Sequence, residues 1–315
     1  MQNILVTGGA GFIGSNLVAE LLKNKQNRVY VFDNLSTGRL NNLDLENPLL
    51  IFFNIDLLSN YEDWPVISNL NYLYHFSANA DVRGGIQDRE IDFRQNVIVT
   101  KSVCDYAKMQ NCKHLVFASS ATVYGEPDIF PTPESSFLRQ TSIYGASKLA
   151  GEAFVQAYSE YSDFKSSIFR FVSWIGVGYS HGVIYDFYKK LIRNPKELEI
   201  LGDGNQSKSF LDVQDGVRGI IDLTKHNKNT EIFNLGHTEI MNINQLAKII
   251  CNYLKLNNTK FIYSGSKRGW IGDSPLVHLD ISKANSFGWT PQVSIKEGIN
   301  NTLNFLTANK DNIYR

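Results

Sequence analysis

The stretch that decides the fold is Asn3-Ile4-Leu5-Val6-Thr7, followed at once by Gly8-Gly9-Ala10-Gly11-Phe12-Ile13-Gly14. The first part is rich in β-branched apolar residues and predicts a strand buried on both faces. Apolar residues at helical spacing then predict a helix over 15–23. Glycines permit a tight turn and let the backbone approach a pyrophosphate at the helix N-terminus, where free N–H groups and the dipole favour an anion. The stretch predicts a dinucleotide-binding turn, whose contact residues would be Gly8, Gly11, Phe12, Ile13 and Gly14.

A second strand, Arg28-Val29-Tyr30-Val31-Phe32, follows the predicted helix and ends in Asp33. An acidic side chain at this place hydrogen-bonds the ribose hydroxyls on the adenine side of a dinucleotide and disfavours a phosphate there. The expected cofactor is therefore NAD rather than NADP, with Asp33 and Asn34 among its contacts. The alternative is a structural glycine turn followed by an unrelated aspartate.

Further apolar runs at 50–55, 72–76 and 114–118 are separated by helical or loop sequence. This alternation predicts an α/β fold, a Rossmann doubly wound parallel sheet with a smaller C-terminal substrate-binding domain. Residues just past the strand ends are expected to meet the cofactor, Asp56 and Leu57 at the adenine and Ser77, Ala78 and Asn79 at the pyrophosphate. The alternative is ordinary polarity at the end of a strand.

The elements become shorter and more irregular after the predicted strand at 167–171. We therefore expect residues 1–172 to form the NAD-binding domain and residues 173–315 to form mainly the substrate-binding domain. The chain is expected to cross back to the large sheet around 209–240.

The segment Tyr144-Gly145-Ala146-Ser147-Lys148 is typical of the start of a helix, on which residues four apart share one face. The Tyr144 phenol and the Lys148 ammonium should therefore point into the same space. A free tyrosine has a pKa of about 10 and is a poor base at neutral pH, but a nearby cation favours the phenolate. A fall of about three units, roughly 4 kcal/mol, would make Tyr144 a usable general base. The alternative is an ordinary helix that carries a tyrosine and a lysine.

The strand at 114–118 continues into Ser119-Ser120-Ala121-Thr122-Val123-Tyr124-Gly125. Hydroxyl groups at the C-terminal end of a strand, near the cofactor crevice, can hydrogen-bond an alcohol that is being oxidised. Taken alone, a serine-rich strand end is ordinary loop chemistry. Together with the glycine turn and Tyr144/Lys148, it indicates a catalytic neighbourhood.

Two further helices are predicted near 92–108 and 146–161. The first is expected to carry an apolar side with the polar Asn96 within the helix; this side comprises Phe93, Val97, Thr100, Val103, Cys104 and Ala107. The second carries a wide stripe of mostly small residues, namely Ala146, Leu149, Ala150, Ala153, Phe154, Ala157, Tyr158 and Tyr161. Small residues let another helix pack closely. The stripe is either ordinary core or half of a four-helix dimer interface.

The composition gives no support to several classes of protein. The 31 basic and 31 acidic residues give a formal net charge of zero without a long run of like charge, which does not favour nucleic acid or a charged membrane surface. The three cysteines, Cys104, Cys112 and Cys251, lack metal-type spacing, so buried free thiols and no metal site are expected. The sequence shows no charged leader and no apolar stretch of bilayer length, so a cytoplasmic protein is expected.

These motifs together resemble the extended branch of the short-chain dehydrogenase/reductases, and within it the nucleotide-sugar epimerase/dehydratase family. The resemblance covers essentially the whole chain. It is carried by Gly8/Gly11/Gly14, Asp33-Asn34-Leu35, Asn96, 119–125, Tyr144/Lys148, Gly202-Asp203-Gly204 and 268–275.

The resemblance implies roles for individual residues. Ser120 and Thr122 would bind the sugar hydroxyl, Tyr144 would be the base, and Lys148 would bind the nicotinamide ribose and lower the pKa of Tyr144. Asn96 and Ser119 would lie at the cofactor. It also implies a homodimer through the helices near 92–108 and 146–161.

Two sets of departures from the family are informative. Dehydratases and decarboxylating members carry acidic residues where this chain has Ala121 and Thr122, so the resemblance favours a 4-epimerase. On the substrate side, Ser173 replaces an asparagine, Lys208 an arginine and Ser209 an aspartate, which puts a standard UDP-galactose-type substrate in doubt. The expected substrate contacts in this part are Ser173, His181, Lys208, Arg268 and Asp273, although His181 could equally be an idle loop residue and Arg268 a solvated surface charge.

The function implied is NAD-dependent oxidation at carbon 4 of a nucleotide-diphosphate sugar through a 4-keto intermediate. Return of the hydride on the other face would make the protein a sugar-nucleotide 4-epimerase. The alternative is a net 4-dehydrogenase that releases the 4-keto form of a hexose or heptose, for example a GDP-linked one. A non-catalytic NAD-sensing module is the third reading, and the presence of both Tyr144 and Lys148 disfavours it.

Overall fold

A computed structural model describes residues 1–83, 87–226, 229–270 and 272–310. Its first part alternates strands and helices. The strands are β1 (Gln2–Thr7), β2 (Asn27–Asp33), β3 (Leu50–Asn54), β4 (Leu70–His75), β5 (His114–Ser120) and β6 (Lys165–Phe171). The α-helices are α1 (Phe12–Leu22), α2 (Arg89–Asp92), α3 (Val99–Met109) and α4 (Ile143–Tyr161), with a π-helical segment (Phe93–Ile98) between α2 and α3 and a 3-10 turn (Ala121–Tyr124) after β5.

Most strands after β6 are shorter, as expected, whereas most of the helices there are as long as α1 and α3. The strands are β7 (Ser173–Ile175), β8 (Glu197–Ile200), β9 (Ser207–Lys208), β10 (Phe210–Asp212), β11 (Thr230–Leu235), β12 (Met241–Asn242), β13 (Lys260–Tyr263) and β14 (Leu276–Val277). The helices are α5 (Val183–Arg193), α6 (Val213–Lys225), α7 (Ile243–Tyr253), α8 (Ser282–Ser286) and α9 (Ile295–Ala308).

A seven-stranded parallel sheet forms the centre of the fold, in the order β11-β6-β5-β4-β1-β2-β3. The strand order reverses between β1 and β4, and parallel sheets of this kind bind ligands at the carboxyl ends of the strands beside such a reversal. The predicted Rossmann fold is therefore confirmed, and the reversal positions the glycine turn after β1 beside the loop after β4.

The core lies on both faces of this sheet. Side chains alternate along β1, so that Ile4 and Val6 belong to one buried cluster and Leu5 to the other. The first cluster includes residues of α1 and α6, and the second includes residues of α3 and α4. Full burial of one such aliphatic side chain contributes about 1.5–3 kcal/mol, which fixes the helices on the sheet.

Smaller sheets lie beyond β6. β7 pairs with β10, β8 with β13, and β9 lies between β12 and β14. β11, at 230–235, returns to the edge of the large sheet beside β6. The predicted second domain includes residues 227–228, 271 and 311–315, which lie outside the described residues. The boundary at residue 172 stays a prediction.

The helix predicted over 92–108 differs from the structure, because a π-helical segment interrupts it at Phe93–Ile98. A π turn holds an additional residue, so the faces before and after it are no longer in the same register. Thr100, Val103 and Cys104 are buried as expected, whereas Phe93 is half-exposed. A period of 3.6 residues does not reveal such an insertion.

All three cysteines are buried free thiols, as the sequence predicted. Within the described ranges, no helix combines the length and apolarity needed to cross a membrane.

Candidate active site

The glycine turn forms the start of α1. Gly8 has a φ of +69°, and a Cβ on Gly14 would overlap the carbonyl oxygen of Gly8, so both positions require glycine. Gly11 is the N-cap and has no side chain to cap the helix, and no acidic residue lies in the first turn. The first amides of α1 are therefore open to an external anion, which fits the pyrophosphate of a dinucleotide.

Asp33 lies at the end of β2 and faces this turn. Its Oδ2 accepts a hydrogen bond from the Ala10 amide at 2.9 Å, and its Oδ1 accepts one from the Leu35 amide at 2.8 Å. An ionised carboxylate has about four lone-pair sites, so two remain for the hydroxyl groups of a ribose. The turn and Asp33 thus fit NAD together.

The predicted adenine contacts lie past the next strand. Asp56 follows β3 and is exposed, with Oδ1 accepting from the Leu58 amide at 3.0 Å, whereas Leu57 is buried. Asn34 is partly buried, and its Oδ1 accepts from the Ser36 amide at 3.1 Å. Their contacts to a cofactor stay predictions.

The loop after β4 is tied to the catalytic helix through Asn96. The Asn79 amide donates to Asn96 Oδ1 at 2.8 Å, and Asn96 Nδ2 donates to Ser147 Oγ at 2.9 Å. The Ser77 amide donates to Thr7 Oγ1 at 3.3 Å. Ala78, the next residue, is partly buried. The structure thus brings Asn79, in the loop after β4, together with Asn96, in the π-helical segment.

Tyr144 and Lys148 lie one turn apart at the start of α4. The helix begins there because Ser142 Oγ accepts a hydrogen bond from the Gly145 amide at 3.0 Å. Lys148 Nζ is 5.9 Å from the centroid of the Tyr144 ring and donates to the carbonyl oxygen of Ala118 at 2.9 Å. The shared face expected from the spacing is present.

Burial controls the protonation of this pair. It raises the pKa of Tyr144 above its ordinary value; the Asp92 carboxylate adds to the rise, and a hydrogen bond with Ser120 opposes it. Burial also lowers the pKa of Lys148 to about 8, against the charges of Asp92 and Glu152. The expected fall in the pKa of Tyr144 is therefore wrong for the protein alone, because removing the phenol from water disfavours its charged form.

The end of β5 supplies the hydroxyl groups beside Tyr144. Ser120 Oγ accepts hydrogen bonds from Thr122 Oγ1 at 3.0 Å and from the Thr122 amide at 3.2 Å. Both side chains are partly buried, and Ala121 is buried between them. The structure therefore brings Ser120, Thr122 and Tyr144 together at the carboxyl edge of the sheet.

Sequence reasoning missed a buried network directly behind these residues. Glu152 accepts from Arg170 at 2.9 and 2.7 Å and from Ser119 Oγ at 2.5 Å. Arg170 Nη1 donates to the Tyr124 hydroxyl at 2.9 Å, which in turn donates to Asn234. Removing one partner of a buried ion pair lowers the free energy of unfolding by about 3–5 kcal/mol. The Glu152–Arg170 pair is therefore a firm anchor for Ser119, which donates to Glu152. Glu152 follows Lys148 by four residues, and this helical spacing was the signal that could have revealed it.

Two of the predicted substrate residues are paired with carboxylates. Lys208 forms an ion pair with Asp273, and Arg268 forms one with Glu126. Ser173 is exposed at the start of β7, and the exposed His181 stacks on Tyr179 with a centroid distance of 6.3 Å. No described contact links His181 to Tyr144, so its role stays a prediction.

A model of the family "NAD dependent epimerase/dehydratase family" matches residues 4–236. The chain belongs to this family. The membership confirms the resemblance found in the sequence and the NAD cofactor, and the chain is an NAD-dependent enzyme.

Known proteins are similar to the chain over nearly its whole length. A putative UDP-glucose 4-epimerase from Methanocaldococcus jannaschii is 33% identical over 97% of this chain and 99% of its own. A UDP-glucose 4-epimerase from Thermotoga maritima, solved with UDP-glucose, has a TM-score of 0.89 and 28% identity over 98% and 100% of the two chains. A UDP-glucuronic acid 4-epimerase from Bacillus cereus, solved with UDP-glucuronic acid and NAD, has a TM-score of 0.87 and 26% identity over 98% and 99%.

Proposed function

We propose that this enzyme is a sugar-nucleotide 4-epimerase, which oxidises carbon 4 of a nucleotide-diphosphate sugar and reduces the 4-keto sugar on its other face. One observation carries the proposal, the convergence of Tyr144, Ser120 and Thr122 at the end of β5 beside Lys148. Ala121 and Thr122 provide no carboxylate for elimination or decarboxylation. The 4-epimerases to which the chain is similar support the same reaction.

In the proposed mechanism, Ser120 and Thr122 hydrogen-bond the 4-hydroxyl group of the sugar. Tyr144, as phenolate, takes the proton of that hydroxyl while carbon 4 loses a hydride. When bound, NAD supplies the hydride acceptor and a positive charge that favours the phenolate. After the 4-keto sugar turns over, Tyr144 returns the proton to the oxygen as carbon 4 regains the hydride, so protons and electrons balance.

Lys148 has two tasks in this proposal. Its ammonium holds the ribose on the nicotinamide side, and its bond to the Ala118 carbonyl fixes its direction. Because its pKa is about 8, the cation predominates at neutral pH and favours the phenolate of Tyr144.

We further propose that Lys208 and Arg268 bind the diphosphate. Each now faces a carboxylate, and a diphosphate offers the same kind of charge with more acceptor oxygens. A guanidinium suits bidentate contact, so Arg268 is the stronger anchor of the two. Ser173, His181 and Asp273 are proposed to border the sugar.

The test follows a panel of nucleotide sugars with purified protein and a trace of NAD, and UDP-glucose is the first member of the panel. The readouts are reduced-nicotinamide absorbance and the NMR signal of the carbon-4 proton. A new stereoisomer in excess over NAD supports the 4-epimerase. Reduced cofactor equal to a released keto sugar would instead identify the 4-dehydrogenase, and NAD binding without turnover of any sugar would identify the sensing module.

We propose that the protein is a homodimer through α3 and α4. The stripe on α4 is not covered within one chain: Ala146, Ala153 and Ala157 are exposed, and Phe154 and Tyr161 are 36% and 82% exposed. Small residues in such a row let a second helix approach closely, so a second copy is the fitting occupant.

Replacement of Ala153 by arginine tests the dimer. The variant should elute and sediment as a monomer, whereas Ala308→Arg, which changes an exposed alanine at the end of α9, should leave the dimer intact. Equal masses for Ala153→Arg and the unchanged protein would refute this interface. The domain boundary at 172 and the cytoplasmic location remain predictions from the sequence.

A further inference from the structure

Asp92 is a buried carboxylate that the proposed mechanism does not use. It is the last residue of α2, directly before the π-helical segment, and its side chain is fully buried. Its Oδ1 accepts hydrogen bonds from Asn79 Nδ2 at 2.8 Å and from Asn96 Nδ2 at 3.3 Å. Its Oδ2 is buried and has no hydrogen-bond partner among the described residues. Such a group is costly to bury, so its presence calls for a reason.

Asp92 is connected to the catalytic helix by a short series of hydrogen bonds. Asn96 Nδ2 donates to Asp92 and to Ser147 Oγ, which uses both of its hydrogens. Ser147 Oγ in turn donates to the carbonyl oxygen of Tyr144 at 2.8 Å. The carboxylate therefore joins the loop that carries Asn79 to the turn that carries Tyr144.

We propose that Asp92 is a positioning residue of the active site, whose ionised carboxylate fixes Asn79 and Asn96 and keeps the Lys148 ammonium charged. The inference rests on the roles proposed above for Tyr144 and Lys148. It adds an acidic residue that contacts neither the reacting sugar nor the nicotinamide in the proposed mechanism.

Several charged groups surround Asp92, and they act in opposite directions. Burial raises the pKa of Asp92, as do Asp81 and Asp88, whereas the hydrogen bond from Asn79 and the charge of Lys148 lower it. The two amide donors on Oδ1 favour the ionised form. These donors and Lys148 are the reason to assign a negative charge to this carboxylate despite its burial.

Lys148 has acidic groups on two sides, and they are not equivalent. Glu152 lies one turn further along α4 and is neutralised by a 2.7 Å ion pair with Arg170. Asp92 has no ion pair within 4.0 Å in the described part of the chain. His75 on β4 also feels the charge of Lys148, but burial lowers the pKa of His75 to about 3, so it is neutral near pH 7. Asp92 is thus the acid whose charge is left to act on Lys148 and Tyr144.

The test measures Lys148 directly in the purified protein without sugar or added cofactor. The protein is labelled with 13C at the ε-carbon of lysine, and the Lys148 signal is assigned by its loss in Lys148→Met. Asp92→Asn keeps the shape of the side chain and removes its charge. Asp88→Asn is the matched control, because it removes the same charge from the exposed N-cap of the same helix.

The pKa of Lys148 should start near 8 and fall by about one unit in Asp92→Asn, with little change in Asp88→Asn. A purely structural role of Asp92 would not move this titration. An unchanged pKa of Lys148 in a folded Asp92→Asn protein overturns the proposal.

If Asp92→Asn does not fold, the carboxyl carbon of Asp92 is titrated in the unaltered protein. Ionisation near pH 7 supports the proposal, and a neutral carboxyl group there overturns it. Neither readout requires turnover, so the two proposals can fail separately. A shifted Lys148 in a protein that epimerises no sugar would refute the proposed function alone.

Discussion

The cofactor side and the substrate side of this molecule are built by different means. On the cofactor side, backbone amides and short buried side chains hold the turn after β1, and Asp33 is 7% exposed. On the substrate side, long charged side chains on short strands and loops pair with carboxylates, and the Arg268 side chain is 47% exposed. The glycine turn and Asp33 thus form a fixed cofactor site, whereas the diphosphate contacts proposed for Lys208 and Arg268 would replace existing ion pairs.

The energies of the two sides differ for the same reason. A surface ion pair such as Arg268–Glu126 is worth about 0–1 kcal/mol, so a diphosphate can replace the carboxylate at small cost. A clash of backbone with a new Cβ in the glycine turn has no such cheap relief. Substitutions in the glycine turn should thus strongly reduce NAD binding. Substitutions on the substrate side should change the binding of the sugar nucleotide only moderately.

The largest expected effect is that of Tyr144→Phe. Loss of the proposed base should reduce turnover by about a thousandfold or more while NAD still binds, because the ring that packs at the site is kept. Tyr161→Phe, on the same helix and 82% exposed, should retain full activity. Turnover and NAD affinity are measured on both variants, and an active Tyr144→Phe protein would show that another group is the base.

The variants Gly14→Ala, in the glycine turn, and Gly265→Ala, on the substrate side, compare the two sides directly. The new Cβ would overlap the Gly8 carbonyl, so NAD affinity should fall about a hundredfold, since such a clash costs about 3 kcal/mol. Gly265→Ala is the control on the substrate side, where no atom lies within 4 Å but φ is +88°. It should lose only about 1 kcal/mol of stability and bind NAD normally. Calorimetric titration with NAD checks both; equal affinities would contradict the comparison.

Acid should lower the stability of the protein through two buried histidines. Burial lowers the pKa of His75 to about 3 and that of His114 to about 4, below the ordinary value of about 6.5. The unfolded chain binds these protons more readily, so stability is fully present above about pH 6.5 and is lost as the pH falls towards 3. Acidification from pH 7 to pH 5 should lower the free energy of unfolding by about 2 kcal/mol for each of these histidines.

Urea unfolding at the two pH values measures this loss. His114→Gln should lose less stability on acidification than the unaltered protein, whereas replacement of the exposed His226 by glutamine should make no difference. If His114→Gln shows the full loss, His114 is not one of its sources.

The smallest expected effect is on the substrate side. Arg268→Gln should weaken binding of a nucleotide-diphosphate sugar about tenfold, or 1.4 kcal/mol, without changing NAD affinity. Glu126→Gln should act in the opposite direction, because it frees the guanidinium from its ion pair. Lys225→Gln, which removes an exposed charge paired with Asp222, is the control. Equal KM values in Arg268→Gln and in this control would assign the diphosphate to other residues.

Much of the cofactor side was predictable from the sequence. The strand, glycine turn, helix and acidic strand end follow one another within 3–33. Each of these parts has a known role in binding a dinucleotide. The pair Tyr144/Lys148 was predictable because four residues return a helix to the same face. The π-helical segment was not, since an additional residue in one turn leaves the hydrophobic pattern almost unchanged.

Contacts between distant segments decided the remainder. Asp92 meets Asn79, and Arg170 meets Glu152 and Tyr124, across separations that no spacing in the sequence encodes. The direction of the shift in the pKa of Tyr144 also depended on burial. Burial raises this pKa, whereas Lys148 alone was expected to lower it.

The sequence by itself determined the parallel sheet, the glycine turn and the face shared by Tyr144 and Lys148, because these follow from periodicity and backbone conformation within short segments. Only the tertiary structure decided how deeply those groups are buried and which carboxylates face Lys148, Lys208 and Arg268. Desolvation and charge depend on everything packed around a group, and packing brings together residues that the chain keeps far apart.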